Sequence, residues 1–317
     1  MPLFLREADV KQLLTMDLTL VALDAAFREW AAGRAQNQPR RRVGGGAVLA
    51  TMSAALPSRG LVGFKAYTAS RAGARFWVCL FDAADGRPRA MIEAHWLGRL
   101  RTGAASGLAT KVLARRDASV FTVIGAGGQA LTQVLAVAAV RALREVRVFS
   151  RSAAHRDAFV AELRAHLPDA VSVRAAASLR EGVDGADILT TITTATDPIF
   201  PGEWLQPGQH LNVCGSNLPD RREVDGRAVA RADLVVADDV EAALVEAGDL
   251  LLAERDGQLS WARVHSLRDV IVSSTGQRQP SDVTLFKSVG LAIEDVAAGA
   301  AVLELAEANG VGQRLPD

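Results

Sequence analysis

The chemistry-bearing residues fall in two stretches, and the first is the turn Gly125, Ala126, Gly127, Gly128, Gln129, Ala130 between two apolar runs. In a G-x-G-x-x-A pattern the first glycine permits a tight strand-to-helix turn. The second lets backbone approach a pyrophosphate, and the small third residue lets the helix pack on the strand. A helix opening at Gln129 points its N–H groups at an anion placed there. The next apolar strand ends in Ser150, Arg151 and Ser152, where a carboxylate would accept from a ribose 2′-hydroxyl. An arginine between two hydroxyls suits a 2′-phosphate instead. The pattern predicts a dinucleotide site that favours NADP(H), with NAD(H) as the second choice. The bland alternative leaves Arg151 in solvent and Ser152 as the cap of the next helix.

The second stretch is basic. Between Glu29 and Asp82 there is no acidic residue, while Arg34, Arg40, Arg41, Arg42, Arg59, Lys65, Arg71 and Arg75 all lie there. Solvation is the default for each of them. Lys65 departs from it, because it sits within the otherwise apolar "LVGFKAYT". Arg101 does too, because Thr102, Gly103, Ala104, Ala105 and Ser106 around it leave room for close packing. A cation among small or apolar neighbours points to a pocket floor, and arginine is a bidentate clamp for a carboxylate.

The elements that must position these groups follow from periodicity. The spacing predicts a helix over 18–33, strands in "VLATMSA", "LVGFKAYT" and "RFWVCLFD", and a helix from Ala90 to near Arg115. From Ser119 strands and helices alternate, which argues a parallel sheet covered on both faces. A last helix over 291–308, stopped by Gly310, is expected to pack back on the first domain. The 317 residues carry no net charge, which points away from nucleic acid and membrane surfaces. Cys79 and Cys214 have no metal-type spacing and read as buried free thiols of a cytoplasmic protein. No metal site and no membrane span are expected.

The order of "QPRRR", the lysine in "GFKAYT", "RTGAAS", "VIGAGGQA", "GSNLPDRREVD" and "VTLFKSVGLAIEDVAAGAA" resembles the ornithine cyclodeaminase/mu-crystallin family. The resemblance implies an α/β fold: a Rossmann-type doubly wound parallel sheet over 115–294, plus an α+β dimerisation and substrate domain over 1–114 with 295–317. It implies a homodimer formed through that substrate domain. It also implies that Arg41, Lys65 and Arg101 hold a substrate carboxylate, with Arg40 and Arg42 flanking the first. Lys287 and Ser288 would pass near the nicotinamide, and Thr193 and Thr194 would contact the cofactor. One departure matters. Cyclodeaminases carry Asp where this chain has Asn217, and an amide cannot take and return protons. Asp220 could substitute only from three residues further into the turn.

These residues imply an NAD(P)H-dependent imino-acid reductase, equivalently an L-amino-acid dehydrogenase in reverse. Lys65 would support proton delivery, and Asn217 would hydrogen-bond the nitrogen or the ribose. The small imino or amino acid is the expected partner. An ornithine or lysine cyclodeaminase using bound NAD+ is the first alternative. It would need an acidic partner for a distal ammonium, which residues 30–81 do not offer. A mu-crystallin-like NADPH-dependent binding protein is the second. It would need an aromatic-lined pocket from ten Phe, five Trp and one Tyr. The basic stretch also predicts a small neutral or second-carboxylate side chain, such as the imines of pyruvate, glyoxylate or oxaloacetate, or pyrroline-2-carboxylate.

Overall fold

In the computed structural model, which describes residues 1–273 and 278–316, strand pairing gathers into two sheets. They belong to two units, Met1–Ala104 with Gly290–Asp317, and Ala105–Val289. The resemblance implies a domain boundary at 114/115; the packing divides the chain inside a helix, at 104/105.

The first unit opens with β1 (Leu3–Leu5), α1 (Glu7–Leu13) and α2 (Met16–Ala31). Five strands follow: β2 (Gln36–Asn37), β3 (Arg41–Gly45), β4 (Ala47–Leu56), β5 (Leu61–Ser70) and β6 (Gly73–Asp82). After β7 (Pro88–Glu93) comes α3 (His95–Leu113). The predicted helix from Ala90 therefore starts five residues late. Its first turn is instead drawn into the sheet, where β7 pairs β6 on one side and β1 on the other. Sheet pairing outweighs local propensity here. Alternation is clear in β4, where Ala50, Met52, Ala54 and Leu56 are buried and their neighbours are not.

The second unit carries the alternating rhythm. Its elements run β8 (Val120–Ile124), α4 (Ala130–Val140), β9 (Glu145–Phe149), α5 (Ala153–Arg164), β10 (Ser172–Ala175) and α6 (Leu179–Val183). They continue β11 (Ile188–Thr191), β12 (His210–Val213), α7 (Gly226–Arg231), β13 (Leu234–Ala237), α8 (Val240–Glu246) and α9 (Gly248–Arg255). The unit closes with β14 (Val264–Ser266), α10 (Leu267–Ser273) and β15 (Thr284–Lys287). The sheet is parallel, in the order β10-β9-β8-β11-β12-β15-β13-β14. The order reverses between β8 and β11, which is where such sheets open a crevice for ligands. Phe121, Val123, Val134, Val148, Phe159 and Leu163 pack beneath that crevice.

The chain then returns to the first unit as α11 (Ala292–Asn309) and β16 (Gln313–Arg314), with Gly310 left-handed at the helix end. Through Gly299, α11 lies on Val78, Leu80 and Ile92 of the first sheet. The fold is thus α/β, with a doubly wound parallel sheet and a second, mixed sheet under helices. Among the described residues no helix is long and apolar enough to cross a membrane.

Candidate active site

In the second unit, the reversal point of the sheet holds a cleft of about 630 Å³. Gly125, Gly127, Ser150, Arg151, Ser152, Thr193 and Thr194 all line it, together with His155 from α5. Gly125 has φ +120°, and a Cβ there would collide with the Ile192 carbonyl, so the turn needs glycine. A Cβ on Gly127 would project into open space, which leaves room for a pyrophosphate beside the backbone. Gly128 is exposed in the same turn, Gln129 precedes α4, and Ala130 is its fully buried first residue. The turn, the open space and the helix start together fit a dinucleotide. Ser152 also caps α5 by accepting from His155 N, so the bland role expected for it is real as well.

The cleft's far rim is held by a buried carboxylate that the sequence pattern does not reveal. Glu223 is fully buried. Its Oε1 accepts from Thr193 N and Thr193 Oγ1, both at 2.7 Å. Its Oε2 accepts from Thr191 Oγ1 at 2.9 Å and Gly215 N at 2.7 Å. One side chain thereby ties the ends of β11 and β12 together. Asp249 continues the network, accepting from Glu223 N at 2.6 Å and pairing Lys287 Nζ at 2.7 Å.

Lys287, which the resemblance has pass near the nicotinamide, is held within this network. It is fully buried, donates to the Ser216 carbonyl at 2.8 Å, and does not line the cleft. Burial works against its charge, but Asp249 and Glu223 outweigh that and hold its pKa above the ordinary value. Ser288 is also buried, donating to Asp238 at 3.2 Å. Lys287 thereby braces the loop that carries Ser216 and the half-buried Asn217. Removing one partner of a buried ion pair leaves the other uncompensated. Lys287→Ala should accordingly lose about 3–5 kcal/mol of stability by urea unfolding. A loss below about 1 kcal/mol, the range of surface pairs, would contradict this assignment.

The first unit buries a separate group of charged side chains. Lys65 is 2% exposed, and its Nζ donates to Asp295 Oδ1 at 2.8 Å. Arg101 is 7% exposed; its Nε donates to Asp295 Oδ1 at 3.0 Å and its Nη1 to Glu294 Oε2 at 2.8 Å. Arg40 is buried too, its Nη2 donating to the Gly290 carbonyl at 2.9 Å. Arg41, expected to join Lys65, is instead exposed on β3, as is Arg42. The buried cations here are Arg40, Lys65 and Arg101.

Lys65 and Arg101 thus pair with two fully buried carboxylates, Glu294 and Asp295, and Arg40 is buried with them in the same unit. The stretch free of acids in sequence is not free of them in space, because α11 brings Glu294 and Asp295 to it. Arg34, Arg59, Arg71 and Arg75 are exposed. Burial pushes the Lys65 pKa down to about 8; Arg101 and Arg40 push the same way, and Asp295 opposes them.

Comparison with known proteins places this architecture. The chain matches the ornithine cyclodeaminase/mu-crystallin family over residues 1–310. It is 38% identical over 240 residues to the Delta(1)-pyrroline-2-carboxylate reductase of Bacillus cereus, covering 75% of this chain and 73% of that one. It superposes on the Thermococcus litoralis Delta(1)-pyrroline-2-carboxylate reductase, solved with NADH and L-proline, with a TM-score of 0.93 and 31% identity. That match covers 99% of this chain and 100% of the other. An archaeal alanine dehydrogenase dimer with bound NAD gives a TM-score of 0.92 at 30% identity, over 99% of each chain. With a glycine turn at the sheet's reversal point and a buried cationic cluster in the other unit, this chain belongs to the ornithine cyclodeaminase/mu-crystallin family.

Proposed function

We propose that the protein is an NAD(P)H-dependent imino-acid reductase acting on the C=N bond of a small 2-imino acid. The observation that carries this reading is the burial of three cations, Arg40, Lys65 and Arg101, in one unit, where they suit a substrate carboxylate. Two similar proteins named as pyrroline-2-carboxylate reductases support it. Bound reduced nicotinamide supplies the hydride. Arg40 and Arg101 orient the substrate through its carboxylate. Lys65 sits at the same cluster with a pKa near neutrality, so it can give a proton to the nitrogen as the carbon is reduced. Asn217 hydrogen-bonds the nitrogen or the ribose and cannot serve as a base.

Gly125 and Gly127 would cradle the pyrophosphate, and Arg151 with Ser150 and Ser152 would take a 2′-phosphate, favouring NADP(H). Arg151→Asp should then raise the KM for NADPH about tenfold to a hundredfold, the cost of one lost charge-assisted contact, and leave NADH much less affected. Equal effects on both cofactors would contradict the preference. The homodimer belongs to this reading as well. Val43, Leu49, Val62 and Met91 are exposed on strands of the first sheet, a face suited to a second copy. The activity itself is tested by NADPH and NADH oxidation with 2-oxo acids plus ammonia or methylamine and with cyclic imines. No oxidation with any of them would remove the reading.

A further inference from the structure

The wall of the dinucleotide cleft carries two basic side chains that the fold itself does not use. Of the residues lining the cleft, Arg151, His155 and Asp197 are those that carry or can take a charge. Asp197, on the loop after β11, accepts from Thr196 Oγ1 at 2.8 Å. The side chains of Arg151 and His155 are exposed and make no hydrogen bond or ion pair among the described residues. Other basic residues nearby in sequence are spent: Arg147 pairs Glu145 at 3.0 Å, and Arg156 pairs Asp157 at 2.9 Å. The backbone fixes where His155 stands. Its N–H donates to Ser152 Oγ at 3.3 Å, which folds the first turn of α5 back onto the loop that carries Arg151. That turn holds no acidic residue. A helix disfavours a cation in its first turn, so an imidazolium there gains only when an anion meets it.

We infer that His155 is a second contact for the 2′-phosphate of the dinucleotide, one whose charge switches with pH, so that the preference for NADP(H) strengthens in mild acid. This rests on the 2′-phosphate role proposed for Arg151. A guanidinium stays charged throughout, whereas an imidazole changes charge between about pH 5 and pH 8. Arg151 therefore supplies a constant attraction and His155 a variable one. NAD(H) has a hydroxyl in place of the phosphate and gains little from either. Asp197 repels a phosphate, which leaves the loop after β9 as its place. The phosphate gives up part of its own charge near about pH 6, and that works in the opposite direction.

The test is calorimetric titration of the protein with NADP+ and NAD+, which differ by the 2′-phosphate alone, at about pH 6 and about pH 8. In the wild type the ratio of dissociation constants should favour NADP+ about threefold further at the lower pH. His155→Gln keeps a hydrogen-bond donor without the charge. Its ratio should stay flat or fall toward the lower pH, because only the phosphate then titrates. Its NAD+ affinity should remain within about twofold of wild type. His155→Lys, charged at both pH values, should carry the stronger preference to the higher pH. A wild-type ratio that does not rise toward acid would overturn the inference. So would a His155→Gln ratio that rises as the wild type's does. Failure of the Arg151 reading looks different: Arg151→Asp leaves the ratio at the higher pH unchanged, while the rise in acid still depends on His155. No preference at either pH would overturn both.

Discussion

Lys65→Met should lower kcat/KM for imine reduction by about 10³-fold or more, while dinucleotide affinity stays within about twofold. The residue makes two separable contributions. One charge-assisted contact to a carboxylate contributes about 1.5–3 kcal/mol, and positioned proton transfer contributes about 10²–10⁴ in rate. The dinucleotide turn lies in the other unit, so cofactor affinity serves as the internal control. Methionine keeps the apolar stem and leaves Asp295 still paired to Arg101. Removing Arg101 is less informative, because Glu294 and Asp295 would lose a buried partner and stability with it. Arg101→Lys is the better probe of the clamp, since it keeps the charge and loses the bidentate geometry.

The pH dependence follows from the same lysine. Its folded pKa lies near 8, below the ordinary 10.5. The charged form needed for binding and proton delivery is lost as pH rises through about 8, so kcat/KM should fall there. Stability should move the other way. Between those two values the unfolded chain holds more protons at this site than the folded one, so its contribution to stability rises with pH. Activity lost above pH 8 without loss of folding would identify the group. Asp295→Asn should shift the activity limb to lower pH, because Asp295 opposes the depression.

Glu223→Gln is expected to weaken dinucleotide binding at least about tenfold and to lower stability by about 2–3 kcal/mol. Glu223 is surrounded by four donors, two on each oxygen. An amide can accept on its oxygen alone, and its nitrogen must then face two donors. Either Thr193 N or Gly215 N then loses its acceptor, while the threonine hydroxyl on that side must turn to accept instead. Fluorescence titration of NADH and thermal unfolding read the two effects separately. Unchanged NADH affinity in a destabilised variant would show that Glu223 serves the fold alone.

Much of this was legible in the chain, for identifiable reasons. Gly125 and Gly127 announce themselves because strand, turn and helix are contiguous in sequence. Lys65 does so because one cation interrupts an apolar strand. Lys287, another cation in an apolar strand, entered only through the family resemblance. Its partner Asp249 is 38 residues earlier, so nothing local separates a scaffold ion pair from a cofactor contact. Glu294 and Asp295 look like acids favouring a helix start. Their real signal is that α11 is buried nearly all round, which leaves no wet face for them. Arg40 could not be told from Arg41 because which arginine turns inward depends on where β3 begins.

Transfer of a labelled hydride tests the central claim most directly. The protein would be given NADPH or NADH carrying deuterium at the transferable C4 position, together with pyrroline-2-carboxylate. The account predicts L-proline bearing one deuterium at its α-carbon by mass spectrometry, formed in step with oxidised cofactor. Unlabelled proline, or proline and ammonia released from ornithine with no net cofactor oxidation, would contradict it.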